Sequence, residues 1–194
     1  MGHPVLNRKA DEVPDPTAPD VARLVATMIE TMEDADGTGL AAPQVHMPWR
    51  IVVYKVMAER AEAEDNDNDN DEDAAASREV ATTAMINPVI EPLGEDTNVS
   101  FESCLSVPDM AGPVRRFTNV RVTYQTLEGA TVEREAEGFH ARVIQHECDH
   151  LDGILYPMRI EDLSQFGYLD ELRKAPEDSD SGADEDEVSD AAAD

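Results

Sequence analysis

The segment QHECDH at residues 145–150 constrains this chain more than any other part of its sequence. His146 and His150 are four residues apart, so on an α-helix both imidazoles project from one face and can bind one metal ion. Apolar residues at helical spacing, with a glycine before and after them, predict such a helix. Glu147 directly follows the first histidine and is placed to transfer protons. The segment therefore predicts a metallohydrolase.

A third ligand is needed to complete the metal site, and the sequence offers three candidates. Metzincin proteases would have a third histidine where this chain has Tyr156. A thermolysin-like zinc endopeptidase would use a downstream carboxylate, for which Glu161 or Glu171 is available. Cys104, upstream, would complete a Cys-His-His site and leave the fourth position for water. A metal-binding protein without catalysis is a further alternative.

Three short motifs follow one another along the chain: GTGLAAPQ at 37–44, ESCLS at 102–106 and QHECDH at 145–150. In this order they resemble the three motifs of peptide deformylases, and the similarity extends over roughly residues 3–172, apart from an acidic insertion. The resemblance implies an α+β fold in which mostly antiparallel sheets surround the metal helix. It also implies hydrolysis of the formyl group from the N-terminal formyl-methionine of newly made polypeptides.

The resemblance gives each motif residue a role. The metal ligands would be Cys104, His146 and His150. Glu147 would act as general base and then as general acid, while the Gln44 side chain and the Leu105 backbone N–H would donate hydrogen bonds to the oxyanion. The expected substrate-binding residues are Gly37, Thr38, Gly39, Glu102, Ser103, Phe139 and Val143.

Two of these expectations have a simple geometric basis. The resemblance implies an apolar pocket for the methionine side chain, and its expected wall residues are Phe139 and Val143, about two turns and one turn before His146 on the same helix face. The alternative is that both are plain core residues. Gly37 and Gly39 lack a Cβ, which would let an extended peptide approach the backbone closely. The alternative is that the two glycines only end the preceding helix.

Two departures from the family pattern bear on substrate binding. Ser103 stands where a glycine is usual, and its Cβ is expected to narrow the groove. The segment 109–112, interpreted as a loop, lacks an arginine that many relatives carry there.

The ligand types and the resemblance point to different metals. Cysteine and histidine ligands with one water suit zinc, whereas the resemblance implies Fe²⁺, with Zn²⁺, Ni²⁺ or Co²⁺ able to substitute. Cys148, the other of two cysteines, should face away from the ligands and pack as a small buried residue. Two such cysteines imply no disulfide framework, which predicts a reducing, cytoplasmic location.

The charge balance is extreme, with 43 acidic against 15 basic residues and a net charge of −28. Two acidic segments, 58–79 and 176–194, are expected to be disordered. The rest still carries 24 acidic and 13 basic residues, which resembles cytoplasmic proteins of halophiles that keep molar salt inside. Direct nucleic acid binding is not expected, because the electrostatic contribution would be repulsive.

The length predicts one catalytic domain at 1–175 followed by the acidic tail. No signal peptide or membrane-spanning run is expected. The expected partners are N-formyl-methionyl peptides, including nascent chains at the ribosome. The protein is expected to be a monomer, and it should reach nascent chains without docking through a basic tail.

Periodicity predicts the main elements. A helix is expected at Asp20–Asp34, with Asp20 as its N-cap, and a second, weaker one at Glu161–Arg173. Strands are expected at 51–56, 83–90, 99–105, 120–126 and 131–137.

Overall fold

The computed structural model describes residues 1–58 and 79–174. The disorder predicted for the acidic insertion and for the tail concerns residues that lie outside this description, apart from the two ends of the insertion.

Eight strands form two antiparallel sheets in the described ranges. The strands are β1 (Gly39–Ala41), β2 (Ile51–Val56), β3 (Val80–Pro92), β4 (Thr97–Cys104), β5 (Val107–Phe117), β6 (Asn119–Gln125), β7 (Thr131–Glu137) and β8 (Gly167–Tyr168). The larger sheet has the order β1-β2-β3-β6-β7, and the smaller one has the order β4-β5-β8.

Strand β2 lies inside the larger sheet and is buried on both faces, which explains its nearly continuous apolar sequence IVVYKV. Helix α1 (Pro19–Asp34) covers one face. Its residues Val25 and Met28 pack with Ile51 and Val53 in one hydrophobic cluster.

Helix α2 (Gly138–Leu151) covers the opposite face of the same sheet. Its residues Ala141 and Ile144 pack with Val52 and Tyr54 of β2 in a second cluster. Because β2 supplies residues to both clusters, this strand holds the two helices in a fixed relation.

The smaller sheet packs on a third hydrophobic cluster. Its last strand, β8, is followed by a short helix, α3 (Leu169–Leu172). Val107 and Val114 of β5 pack there with Leu155 and Tyr156, which follow α2. Helix α2 therefore has the larger sheet behind it and the β4–β5 pair in front, as the predicted α+β fold requires.

The predicted strands are confirmed, with some boundary shifts, but three strands were missed: β1, β5 and β8. The predicted loop at 109–112 is wrong, because these residues belong to β5, and Met110, Ala111 and Gly112 pair with β4 or β8. Gly112, the last of these four residues, allows the Ile160 side chain to pack against β5, since an added Cβ would lie 2.5 Å from Ile160.

Two predictions about helices are wrong. Helix α1 begins at Pro19, with Ala18 as an N-cap that makes no side-chain bond, because proline is favoured at the first helical position. The helix expected at 161–173 is broken into a 3-10 turn, strand β8 and the four-residue α3. Pairing of Tyr168 with Met110 in the sheet replaces the helical hydrogen bonds. No helix in the described ranges is long and apolar enough to span a membrane.

Candidate metal centre

The two sheets and α2 bring together the three predicted metal ligands. Cys104 ends β4, while His146 and His150 lie one turn apart on α2. One ligand atom from each lies within 4.8 Å of the other two, and Cys104 Sγ is 3.3 Å from His150 Nε2. This spacing fits one metal ion with Zn–S and Zn–N distances of about 2.3 and 2.0 Å.

His146 is oriented by a buried carboxylate. Its Nδ1 donates to Glu102 Oε2 at 2.8 Å, which leaves Nε2 free to bind metal. Burial alone would lower the pKa of His146, but hydrogen bonds to Cys104 and Glu102 raise it well above its ordinary value.

Glu102 is held in turn by two arginines. Arg116 binds both carboxylate oxygens, at 2.9 and 2.8 Å, and Arg142 binds one at 2.8 Å. Arg116 also donates to Asp149, which accepts from Arg159 as well. The ligand helix is thus tied to β4 and β5 through charge-assisted hydrogen bonds, which are stronger than neutral ones.

Glu147 lies on the ligand helix with its side chain turned into the same site. Burial raises its pKa to about 7, although the charge of His146 opposes this shift. Its Oε2 is buried and has no hydrogen-bond partner among the described residues. A buried carboxyl oxygen without a partner is costly, so this atom fits a site that receives a further polar group, as a metal with its water would supply.

Gly39 of β1 allows this carboxylate to be where it is. A Cβ added at Gly39 would lie 2.6 Å from Glu147 Cδ, a distance at which real atoms overlap. A glycine was expected here so that a substrate peptide could approach the backbone. The structure shows a second reason, since the Glu147 side chain of the protein itself approaches Gly39 closely. Gly37 does follow the end of α1, where its N–H donates to Met32 O at 2.8 Å.

Gln44 is pinned by its own backbone neighbourhood. Its Oε1 accepts from Ala41 N–H at 2.8 Å, so the amide nitrogen points into the site. That Nε2 lies 3.7 Å from Cys104 Sγ and 3.2 Å from Ser106 Oγ. An amide N–H is thus held beside the metal ligands, where it can donate to a substrate oxygen.

A cavity of about 630 Å³ opens at the metal ligands, a size typical of ligand sites. It is lined by all the predicted substrate-binding residues: Gly37, Thr38, Gly39, Glu102, Ser103, Phe139 and Val143. Gln44, Leu105 and Glu147 also line it. Of these, Glu102 has a buried carboxylate that is bound to Arg116, Arg142 and His146.

The alternative ligands lie elsewhere. Glu161 pairs with Arg115 at 3.0 Å and Glu171 with Lys174 at 2.9 Å, all four at the surface. The zinc endopeptidase with a downstream carboxylate is therefore not supported. Cys148 is buried in the cluster behind α2, as predicted, and burial raises the pKa of its thiol.

The residues that sequence reasoning missed are those that support the ligands. Arg116, Arg142 and Asp149 are all buried, with exposures of 4%, 5% and 7%. Asp149 lies within the QHECDH motif, so its position was a usable signal. Arg116 gave no signal without knowledge of β5, whose inward face it occupies.

A Cys-His-His cluster, a buried glutamate with a raised pKa and an adjoining cavity together define a mononuclear metallohydrolase centre. The family described as polypeptide deformylase matches residues 1–166. Peptide deformylase 1 of Nitrosomonas europaea is 42% identical over 172 residues, covering 89% of this chain and 91% of that protein. Peptide deformylase 1 of Bordetella pertussis is 46% identical over 172 residues, with the same two coverages, 89% and 91%.

Solved structures agree. A class I type b peptide deformylase from Acinetobacter baumannii bound to Met-Ala-Ser has a TM-score of 0.70 and 34% identity, covering 82% of this chain and 94% of that one. The peptide deformylase of Thermotoga maritima has a TM-score of 0.68 and 36% identity, with coverages of 84% and 95%. The chain belongs to the peptide deformylase family and is a metallohydrolase.

Proposed function

We propose that this chain hydrolyses the formyl group of N-formyl-methionyl peptides with Cys104, His146 and His150 as metal ligands and Glu147 as the proton carrier. The observation that carries the proposal is the Glu147 carboxyl group, buried beside the three ligands with one oxygen lacking a partner among the described residues. Its pKa of about 7 suits a general base at neutral pH.

Cys104, His146 and His150 would hold a divalent cation, which would supply Lewis acidity for activating a water molecule and polarising the formyl carbonyl. Glu147 takes a proton from the attacking water and later gives it to the leaving amine, a role that suits a carboxyl group whose pKa is raised by burial to about 7. Gln44 Nε2 and the Leu105 backbone N–H donate to the oxyanion. One such donor contributes about 3 kcal/mol to transition-state stabilisation.

The cavity walls give the proposed substrate its orientation. Phe139 and Val143 sit one above the other on α2 and offer an apolar surface to the methionine side chain. Ser103 and the 37–39 segment flank the ligands from β4 and β1. Two strand edges facing one cavity suit an extended peptide, which can form backbone hydrogen bonds with both.

Fe²⁺ is the proposed native metal. A thiolate and two imidazoles also accept Zn²⁺, Ni²⁺ and Co²⁺, so the ligands alone do not select iron. The proposal therefore predicts that activity per bound metal differs among these ions, with the iron form made under anaerobic conditions the most active.

We also propose that the protein is a halophilic type of deformylase acting as a cytoplasmic monomer. The net charge of −28 supports the first part. Both cysteines are free, which suits a reducing compartment. Helices α1 and α2 of the same chain cover both faces of β2, which supports the monomer. Nascent chains would be reached without tail docking, because residues 176–194 contain no lysine or arginine.

The test is hydrolysis of formyl-Met-Ala-Ser by protein loaded with Fe²⁺ in anaerobic, high-salt buffer, with Glu147→Gln as the decisive variant. Glu147→Gln should keep one metal per chain and lose at least about two orders of magnitude in kcat, because the ligands survive and proton transfer does not. Near-normal turnover by this variant would overturn the mechanism. A protein that binds metal and hydrolyses no formyl peptide would instead support the non-catalytic alternative.

A further inference from the structure

One face of the β4–β5 pair carries exposed apolar side chains. Val99 and Phe101 alternate along β4 with exposures of 51% and 47%, and Phe117 at the end of β5 is 37% exposed. Val99 pairs with Arg115 and Thr97 with Phe117, which makes Val99 and Phe117 diagonal neighbours at about 7–8 Å. Val99, Phe101 and Phe117 together form an apolar strip on this face.

The apolar strip is continuous with the substrate cavity, because Phe101 belongs to both. A strand rises about 3.3 Å per residue, so Val99 lies about 17 Å from Cys104 along β4. An extended substrate with its formyl group at the metal ligands, running back along β4, therefore reaches Val99 with roughly its fifth residue and Phe117 with roughly its seventh.

The surroundings of the strip favour apolar rather than charged ligands. Single exposed apolar residues are ordinary on protein surfaces, whereas contiguous ones beside a cavity mark interaction sites. The charged neighbour on β5, Arg115, is paired with Glu161 at 3.0 Å. The net charge of the chain is −28, so this apolar surface leading out of the cavity contrasts with the acidic composition of the chain.

We propose that the apolar strip is a secondary binding site for apolar side chains of the nascent polypeptide at about positions five to seven, with the formyl-methionine counted as position one. This inference rests on the proposed function. Because the strip is remote from the reacting atoms, its contacts are equal in the ground state and the transition state. They therefore lower KM and leave kcat unchanged.

The experiment compares three formyl-methionyl peptides: a tripeptide and two nine-residue peptides with leucine or serine at positions five to seven. The leucine peptide should have a KM at least about fivefold below that of the serine peptide, with equal kcat, because each buried leucine favours binding. The double variant Val99→Ser, Phe117→Ser should abolish this difference and leave tripeptide hydrolysis unchanged. Val89→Ser is the matched control, since Val89 is 60% exposed on β3 of the other sheet, and it should retain the difference.

Equal KM values for the leucine and serine peptides with the unmodified protein would overturn the inference, and this comparison requires no variant. Retention of the difference in the double variant would also overturn it. A concentration-dependent dimer that dissociates in the double variant, seen by light scattering, would show that a second copy occupies the strip instead. Failure of the unmodified protein to hydrolyse the tripeptide would reject the proposed function itself, whereas normal tripeptide hydrolysis without a leucine effect rejects only the strip.

Discussion

Glu102 accepts a hydrogen bond from Nδ1 of His146 at 2.8 Å while Arg116 holds the same carboxylate with two hydrogen bonds. Burial alone would raise the pKa of Glu102, but the bonds from Arg116 and His146 outweigh it and hold the pKa well below the ordinary value. The carboxylate is therefore ionised, fixes the imidazole in one tautomer and increases its basicity as a ligand.

Glu102→Gln should weaken metal binding about 10- to 100-fold, because a neutral amide no longer supports the imidazole and leaves Arg116 and Arg142 without a charge partner. Competition against a chelator measures this affinity. Glu161→Gln is the matched control, since it makes the same substitution in the surface pair with Arg115, and the metal affinity of this variant should equal that of the unmodified protein. Unchanged affinity in Glu102→Gln would contradict the orienting role.

Gly39→Ala should lower kcat by at least about tenfold while metal content stays near one per chain, because the added methyl group displaces the Glu147 carboxylate that carries the proton. Gly37→Ala is the comparison, since its Cβ would lie 3.3 Å or more from Met32 and Leu105 atoms. That variant should lose much less activity. Equal losses would show that both glycines serve the peptide backbone rather than Glu147.

Sequence reasoning predicted the two histidine ligands and their helix because the information is local. Two histidines at helical spacing with an adjacent glutamate occupy one helix face whatever surrounds them. The third ligand was different: Cys104 is 42 positions before His146 in the numbering, and only the family resemblance selected it over the downstream carboxylates.

The supporting charges were not predicted, since they depend on pairing that periodicity does not reveal. Strand β5 carries proline, glycine and two arginines, which obscure its alternation, and so Arg116 was not placed on a buried face. The helix prediction for residues 161–173, after α2, was wrong for a related reason. Its helical spacing is weak, and pairing of β8 with β5 determined the structure instead.

His140 should make stability depend on pH below neutrality. Burial, followed by the charge of Arg134, lowers its pKa from 6.5 to about 4, and Tyr54 Oη lies 3.1 Å from its Nε2. Between pH 6.5 and pH 4 the unfolded chain binds more protons at His140 than the folded protein does. The free energy of unfolding is therefore highest above pH 6.5 and falls as the pH decreases towards 4. His140→Gln should therefore show a smaller fall in Tm between about pH 7 and pH 5. Parallel profiles for the two proteins would contradict this.

Salt should stabilise the protein through its distributed acidity. The Debye length shrinks from about 10 Å at 0.1 M salt to about 3 Å at 1 M, which weakens repulsion among surface carboxylates. Tm is therefore expected to rise between 0.1 and 2 M KCl. Sucrose at matched osmolality separates screening from general solute exclusion, because sucrose carries no charge.

A trimmed protein locates the source of this salt dependence. Val56 of β2 pairs with Val80 of β3, so the ends of the acidic insertion are neighbours and a short turn can replace it. The tail 176–194 is removed from the same variant. Much of the rise in Tm should remain, because the rest of the chain still has 24 acidic against 13 basic residues. A flat or falling Tm in KCl for the full chain would defeat the halophilic proposal and leave the deformylase mechanism standing. Loss of the rise only after trimming would instead assign the salt response to the two acidic segments.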